Sequence, residues 1–314
     1  MFQIFNRINI YHQGFFLVIV ATLLFSMKGI FIKLAYVYHV EPAVLMFIRM
    51  MIALPFYFFV LFSEYRSKAL QHLNMLSYIK IMVLGFFGYY LASYLDLTGL
   101  KYLPASLERL VLYSYPSIVL ILSVLFLGRR LEKSVVVSLL VVYAGLLSVF
   151  AQDIQLIKSE MSEQLWGALL VFSAAASFAI YLLGSEVMMQ SVSSKLFTAL
   201  AMLSASVAIV IHYFFNFDIY QLFDLHVMVF VYGAIIAIFC TVLPSFMLSS
   251  GVKRIGAATG SVVGSLGPIV TLIMAVVILD EVISFTQGLG FLLVILGVIN
   301  LGRAKKTSKN TVLV

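Results

Sequence analysis

The sequence predicts an all-α integral membrane protein with ten transmembrane helices in two inverted five-helix repeats. Three observations carry that prediction. Composition is the first: 63% of the 314 residues are hydrophobic and 11% are charged, with a mean hydropathy of +1.11. Soluble domains average about 45–50% apolar and about 25% charged residues. The second is a series of apolar runs, each long enough to cross a bilayer, which takes roughly 17–25 residues. The third is internal repetition. Gly99 to Gly145 recurs without a gap as Gly251 to Gly297, pairing Lys101 with Lys253, Ala105 with Ala257, Val111 with Val263 and Pro116 with Pro268. Shared Leu, Ile and Val carry little weight in membrane sequence; shared Gly, Lys and Pro carry more. An odd number of spans per copy turns one copy upside down relative to the other, as in secondary transporters.

Taken in order, the first five spans fall near 14–36, 42–62, 76–98, 104–127 and 133–150, and the second five near 165–187, 195–215, 226–250, 256–279 and 284–302. The first run is as long as a full span, so it is an uncleaved first helix rather than a signal peptide. The longest loop, 151–164, holds Gln152, Asp153, Gln155, Lys158, Ser159, Glu160 and Glu163. It separates a first unit, 1–151, from a second, 152–314, which ends in a basic tail. No stretch fits a soluble domain, and the single Cys240 excludes a disulfide framework.

Loop charges set the orientation. Arg7, Arg66, Lys68, Lys80, Arg129, Arg130, Lys133, Lys195, Lys253, Arg254 and the tail from Arg303 share one side. The opposite loops hold Lys101 and Lys158 among Glu41, Asp153, Glu160, Glu163, Asp218, Asp224, Asp280 and Glu281. The positive-inside bias then places both termini in the cytoplasm, in a multi-pass protein of the plasma membrane, a bacterial inner membrane. The net charge of +7 belongs to these loops and gives no ground for a nucleic-acid partner.

Two segments mark a family. Gly99-Leu100-Lys101-Tyr102-Leu103-Pro104-Ala105 enters the fourth span, and Tyr115-Pro116 lies within it; their partners are Gly251-Val252-Lys253-Arg254-Ile255-Gly256-Ala257 and Gly267-Pro268. In these segments the chain resembles the ten-span EamA-type members of the drug/metabolite transporter superfamily, over nearly its whole length (14–150 and 165–302). That family often has a Glu soon after the fourth and ninth spans. Glu281 fits, whereas Arg129 stands at the matching position in the first half. The resemblance implies transport of small solutes (amino acids, vitamins, nucleotide-like or carnitine-like metabolites), mostly without ATP, along a path lined by spans one, three, four, six, eight and nine.

Charges inside spans cost about 2.5–3.5 kcal/mol each at a helix centre on insertion scales, so each is a functional candidate. Lys28 and Lys33 fall in span one, Arg49 in span two, Asp96 at the end of span three, and Glu108 and Arg109 in span four. At the helical rise, Lys28 and Arg49 lie roughly 10–12 Å from the outer helix ends, and Asp96, Glu108 and Arg109 roughly 5–8 Å. Arg49 and Glu108 are either an ion pair that locks two helices or contacts to solute. Lys28 is the deeper ligand candidate, Lys33 the snorkeller. The set has four cations and two carboxylates, a balance that leans toward an anionic or zwitterionic solute. Asp96 and Glu108 are the candidates for coupling or gating, since carboxylates in transporters relay protons; sodium is the other possible coupling ion.

Aromatic candidates for solute contact are Tyr90 and Tyr94, four apart on one face of span three, with Tyr113 in span four and Tyr181 in span six. Rings of this kind stack heterocycles or attract quaternary ammonium groups, which keeps open a second function, export of cationic or aromatic drugs. Pro116 and Pro268 sit at equivalent depths and are expected to kink their helices, as gating hinges or static bends. Gly256, Gly260 and Gly264 run at four-residue spacing along span nine, a small-residue face for close helix packing. Span four has Pro104, Glu108 and Leu112 there, so polar recognition is expected in the first half. No phosphate loop, metal-ligand spacing or nucleophile–base pair argues for an enzyme. No cofactor is expected; the partners are a small-molecule substrate and the lipid bilayer, with the protein a monomer or homodimer.

Overall fold

With no water at the bilayer core, each apolar run must satisfy its backbone N–H and C=O groups internally, and a helix does so within one segment. The computed structural model describes residues 2–66, 73–99, 102–103, 108, 111–130, 132–155, 161–270 and 285–311, with no strand among them. Its helical spans are, in order, Phe2–Tyr36, Pro42–Arg66, Met75–Gly99, Tyr115–Leu127, Lys133–Gln155, Met161–Met188, Ser194–Asn216, Val227–Ile255, Ala257–Val270 and Phe285–Thr311. Six are long and apolar enough to cross a membrane: the first, second, third, sixth, seventh and eighth. The fourth, fifth, ninth and tenth contribute shorter apolar helices.

Two boundaries differ from expectation. The first helix begins at Phe2, about three turns before the apolar run, because nothing between Phe2 and Gly14 breaks a helix. The linker 151–164 also contracts: span five continues to Gln155 and span six starts at Met161. Polar residues alone do not end a helix that lacks Pro or Gly.

The repeat is visible in the irregular backbone. Span three contains a π-helical stretch, Phe86–Leu91, and span eight contains another, Ile238–Val242, at the 152-residue offset. In each, the amide after the stretch bonds five residues back, Ala92 to Phe87 and Leu243 to Ile238. Spans four and nine are interrupted at matching turns, Tyr113–Ser114 and Ser265–Leu266. Pro116 and Pro268 follow these turns at the start of the resumed helix, where a missing N–H costs little. They mark breaks rather than the mid-helix kinks that their spacing suggested.

Without a hydrophobic drive between helices in lipid, close backbone approach holds them together. Span one crosses span eight at Gly14 and Gly251, and span six crosses span three at Gly167 and Gly99. A Cβ on Gly251 would meet the Gly14 carbonyl oxygen at 2.9 Å, and one on Gly99 the Gly167 carbonyl oxygen at 3.0 Å. Spans five and ten interlock reciprocally. A Cβ on Gly145 would meet Val294 Cγ2 at 2.7 Å, and one on Gly297 would meet Val142 Cγ2 at 2.8 Å. Two apolar clusters result, and Tyr89 packs against both. The polar centre lies at that junction.

Candidate functional site: a guanidinium in an aromatic centre

Arg49 is carried by span two between buried Ile48 and Met50. Its Nε is buried and has no hydrogen-bond partner. Among the described residues no ion pair joins it to a carboxylate, so of the two readings of Arg49 and Glu108 the helix-locking ion pair does not form. Glu108 is itself buried and engaged elsewhere. Around Arg49 stand Tyr57 of the same helix, Tyr89 from the π stretch of span three, and Cys240 from that of span eight. Lys28 of span one, half-buried and with contacts of its own, also acts on Cys240. Two cations therefore face one small region.

The π stretches explain how these groups converge. An inserted residue rotates the face that follows it, which brings Tyr89 and Cys240 inward. The Tyr57 and Ser245 hydroxyls share a hydrogen bond of 3.2 Å, and the Tyr181 hydroxyl donates to that of Tyr89 at 3.3 Å. Gly88 makes room for the Tyr181 ring, whose Cδ2 would lie 2.6 Å from an added Cβ. From Tyr181 a file of rings runs on. Phe178 is 5.9 Å away between centroids, Tyr115 is 5.3 Å from Phe178, and Tyr113 is 6.0 Å from Tyr115. Tyr115 donates to the Ser261 carbonyl at 3.0 Å with its hydroxyl over Gly264, and the Tyr113 hydroxyl rests at Gly267.

The residues expected at the site separate into groups. Arg49 and Tyr181 are central, Tyr113 joins the ring file, and Lys28 stands at the margin. Tyr90 and Tyr94 do share a face, with rings stacked at 6.2 Å, but they turn toward span seven. Tyr90 bonds His212 Nδ1 at 2.9 Å, and Tyr94 lies 5.0 Å from the His212 ring. Asp96 is half-buried, with Oδ1 enclosed and without a partner. Arg109 lies outside the described residues. Gly256, Gly260 and Gly264 do not form one packing face. Gly256 is the turn between spans eight and nine, with φ of 84°, Gly260 faces Val252, and Gly264 receives Tyr115. Span two, absent from the expected lining, supplies Arg49 and Tyr57, while Tyr57 and Ser245 were not singled out from the sequence. Cys240, read from the sequence only as excluding a disulfide framework, carries one signal: it aligns with Gly88 in the other half.

A second polar constellation lies at the basic end. Arg129 donates to Glu186 through Nη2 at 2.7 Å and Nη1 at 3.0 Å. The bond to Glu186 raises the Arg129 pKa above its ordinary value, so the guanidinium stays charged. Glu186 Oε2 also accepts from the Ala257 N–H at 2.8 Å. Beside them is a cavity of about 370 Å³ that Arg130, Glu132, Lys253 and Arg254 also line.

Helical repeats, helices broken at equivalent points and a charged, aromatic centre define a membrane transporter built on internal duplication. The profile of the EamA-like transporter family matches residues 12–151 and again 165–303, and the chain belongs to that family. It is thus a multi-pass membrane protein and a transporter of the drug/metabolite type. Among its relatives is a Bacillus subtilis protein named uncharacterized transporter YcbK, 26% identical over 294 residues that cover 88% of each chain. Uncharacterized transporter YyaM of the same organism is 27% identical over 241 residues, 76% of this chain and 77% of its own. A crystal structure superposes with a TM-score of 0.75 over 91% of this chain and 95% of that one, at 17% identity, a likeness of fold alone.

Proposed function

We propose that the chain is a secondary transporter that moves a small polar metabolite with an anionic or zwitterionic group by alternating access. The single observation that supports this most is Arg49, a guanidinium in the membrane interior with a buried, unsatisfied Nε and, among the described residues, no carboxylate paired to it. An unpaired charge there is costly, and a solute carboxylate or phosphate would satisfy it in the bidentate geometry that arginine favours. Tyr57, Tyr89 and Tyr181 add hydroxyls and ring faces for the rest of an amino-acid-like, vitamin or nucleotide-like molecule. The basic loops support a plasma membrane, bacterial inner membrane, setting with both termini cytoplasmic. The ring file favours a second reading, export of cationic or aromatic compounds, but Arg49 and Lys28 would repel a cation. Asp96, with its unpartnered oxygen, is the coupling candidate for protons.

A thermal-stability screen of the purified protein against a metabolite library tests the reading, because a ligand that binds the native state raises the melting temperature. Anionic or zwitterionic hits that vanish in Arg49→Ala support it. Cationic hits that survive Arg49→Ala and Lys28→Ala overturn it.

A further inference from the structure

We infer that Arg129 and Glu186 form a latch at the basic end of the transport path, which parts for the central site to open to that side. The inference goes beyond the proposed substrate class and does not depend on it. One carboxylate ties three elements together. Arg129 follows Gly128, whose left-handed conformation (φ 59°) caps the span-four helix, so the guanidinium departs from a fixed turn of the first repeat. Glu186 lies in the last turn of span six, and the Ala257 N–H that it accepts begins span nine, both in the second repeat. Gly256 leaves the space: a Cβ there would stand 3.2 Å from Glu186 Oε1. Span one also crosses span eight at Gly14 and Gly251, beside Arg254 of the same cavity, so separation of the repeats at this end requires this ion pair to break as that crossing loosens.

Its exposure suits reversal. The Arg129 side chain is 38% exposed and that of Glu186 13%, and both line the cavity at that end. A fully buried pair is expensive to break, because each charge is left without water. A half-wet pair is not, because water in the cavity solvates both groups once they part. The register adds a sequence observation. Spans four and nine align at an offset of 152 residues, and the glycine crossings align spans one and six at 153, pairing Gly14 with Gly167 and Val18 with Val171. On these offsets Arg129 corresponds to Glu281 and Glu186 to Lys33, so one cation and one carboxylate recur with their order reversed. The side chains of Lys33 and Glu281 lie outside the described residues, and the inference rests on Arg129 and Glu186.

The chain carries its own reporter. Cys240 is its single cysteine, buried at the centre near Arg49 and Lys28. Its labelling by a membrane-impermeant maleimide is to be measured in sealed vesicles of both orientations, in the wild type, Glu186→Gln, Arg129→Gln and the exchange Arg129→Glu with Glu186→Arg. The latch predicts that each single variant labels roughly five- to tenfold faster from the face with the basic loops and no faster from the other. The exchange should return the rate most of the way to wild type. An unchanged rate in both single variants overturns the latch and leaves a static clamp. Faster labelling from both faces, or no recovery in the exchange, also overturns it, since that reports loosened packing. No transported solute is needed, so failure here is distinct from failure of the substrate reading.

Discussion

Replacing Arg49 by Met should stabilise the protein while removing its function. Met keeps the length and flexibility of the side chain and deletes the charge. The structure offers that charge no carboxylate among the described residues and leaves Nε unsatisfied. What the wild type loses is therefore the desolvation of a cation, offset by the hydroxyl dipoles and ring faces of Tyr57 and Tyr89. Insertion scales put a central arginine at about 2.5–3.5 kcal/mol, and replacing buried ions by apolar side chains of similar volume is neutral or stabilising by about 1–4 kcal/mol. With partial compensation by the tyrosines, a gain of about 1–2 kcal/mol is expected for Arg49→Met, a rise in melting temperature of roughly 2–6 °C. An anionic ligand at a hundred times its Kd stabilises a binding-competent protein by about 2.7 kcal/mol. That increment should disappear in Arg49→Met and shrink in Arg49→Lys, which keeps the charge without the planar fork. The assay is a thermal melt of all three proteins in detergent, with and without ligand. A melting temperature several degrees lower in Arg49→Met, with the ligand increment intact, would show that Arg49 braces the fold and would refute the reasoning.

Other expectations follow from named contacts. Gly88→Val drives a side chain into the Tyr181 ring, and overpacking of this kind costs about 1–3 kcal/mol; the melting temperature should fall and solute binding weaken together. Gly145→Val meets the Gly290 carbonyl oxygen, 2.6 Å from the added Cβ. It should destabilise by a similar about 1–3 kcal/mol yet leave the affinity of the folded fraction unchanged, as read by binding titration, because spans five and ten lie away from Arg49. Asp96→Asn removes a carboxylate whose Oδ1 has no partner. If it carries the coupling proton, uphill uptake in liposomes should drop at least roughly tenfold while solute exchange at equal pH persists; equal loss of both would assign it to solute binding or structure.

Most of the fold is legible in the sequence because a bilayer imposes a simple rule. Apolar runs of sufficient length become helices, and the glycines and prolines that recur at one offset recur in space, as Gly99 with Gly251 and Pro116 with Pro268 show. The centre is less legible for a physical reason. Facing was inferred from an α-helical period, and the π stretches at Phe86–Leu91 and Ile238–Val242 shift that period locally. Tyr89 and Cys240 therefore turn inward, whereas Tyr90 and Tyr94 turn toward His212. Gly256 shows a related limit. Four-residue spacing to Gly260 suggested a helix face, but a φ of 84° ends the helix before that face begins. Glu186 lies near the end of span six, and only tertiary structure brings Arg129 and the Ala257 amide to it.

The two repeats agree where the backbone has to change direction and disagree where a solute would sit, and the disagreement is directional. At the matching turns of spans four and nine, Tyr113 corresponds to Ser265 and Tyr115 to Gly267. The first repeat thus contributes bulky rings with hydroxyls, and the second contributes small residues that receive them: Tyr115 over Gly264 and Tyr113 at Gly267. Had both copies kept tyrosines, the rings would compete for one volume; had both kept glycine and serine, the interior would hold a void that packing does not tolerate. Divergence at these positions is therefore a requirement of bringing two inverted copies into contact. It also leaves the copies unequal at the centre, with Arg49, Tyr57, Tyr89 and Lys28 from the first repeat facing Tyr181, Cys240 and Ser245 from the second. A solute held there meets charge from one side and hydroxyls, a ring and a thiol from the other. Motion of one repeat against the other would then change both its access to water and its distance from the cations.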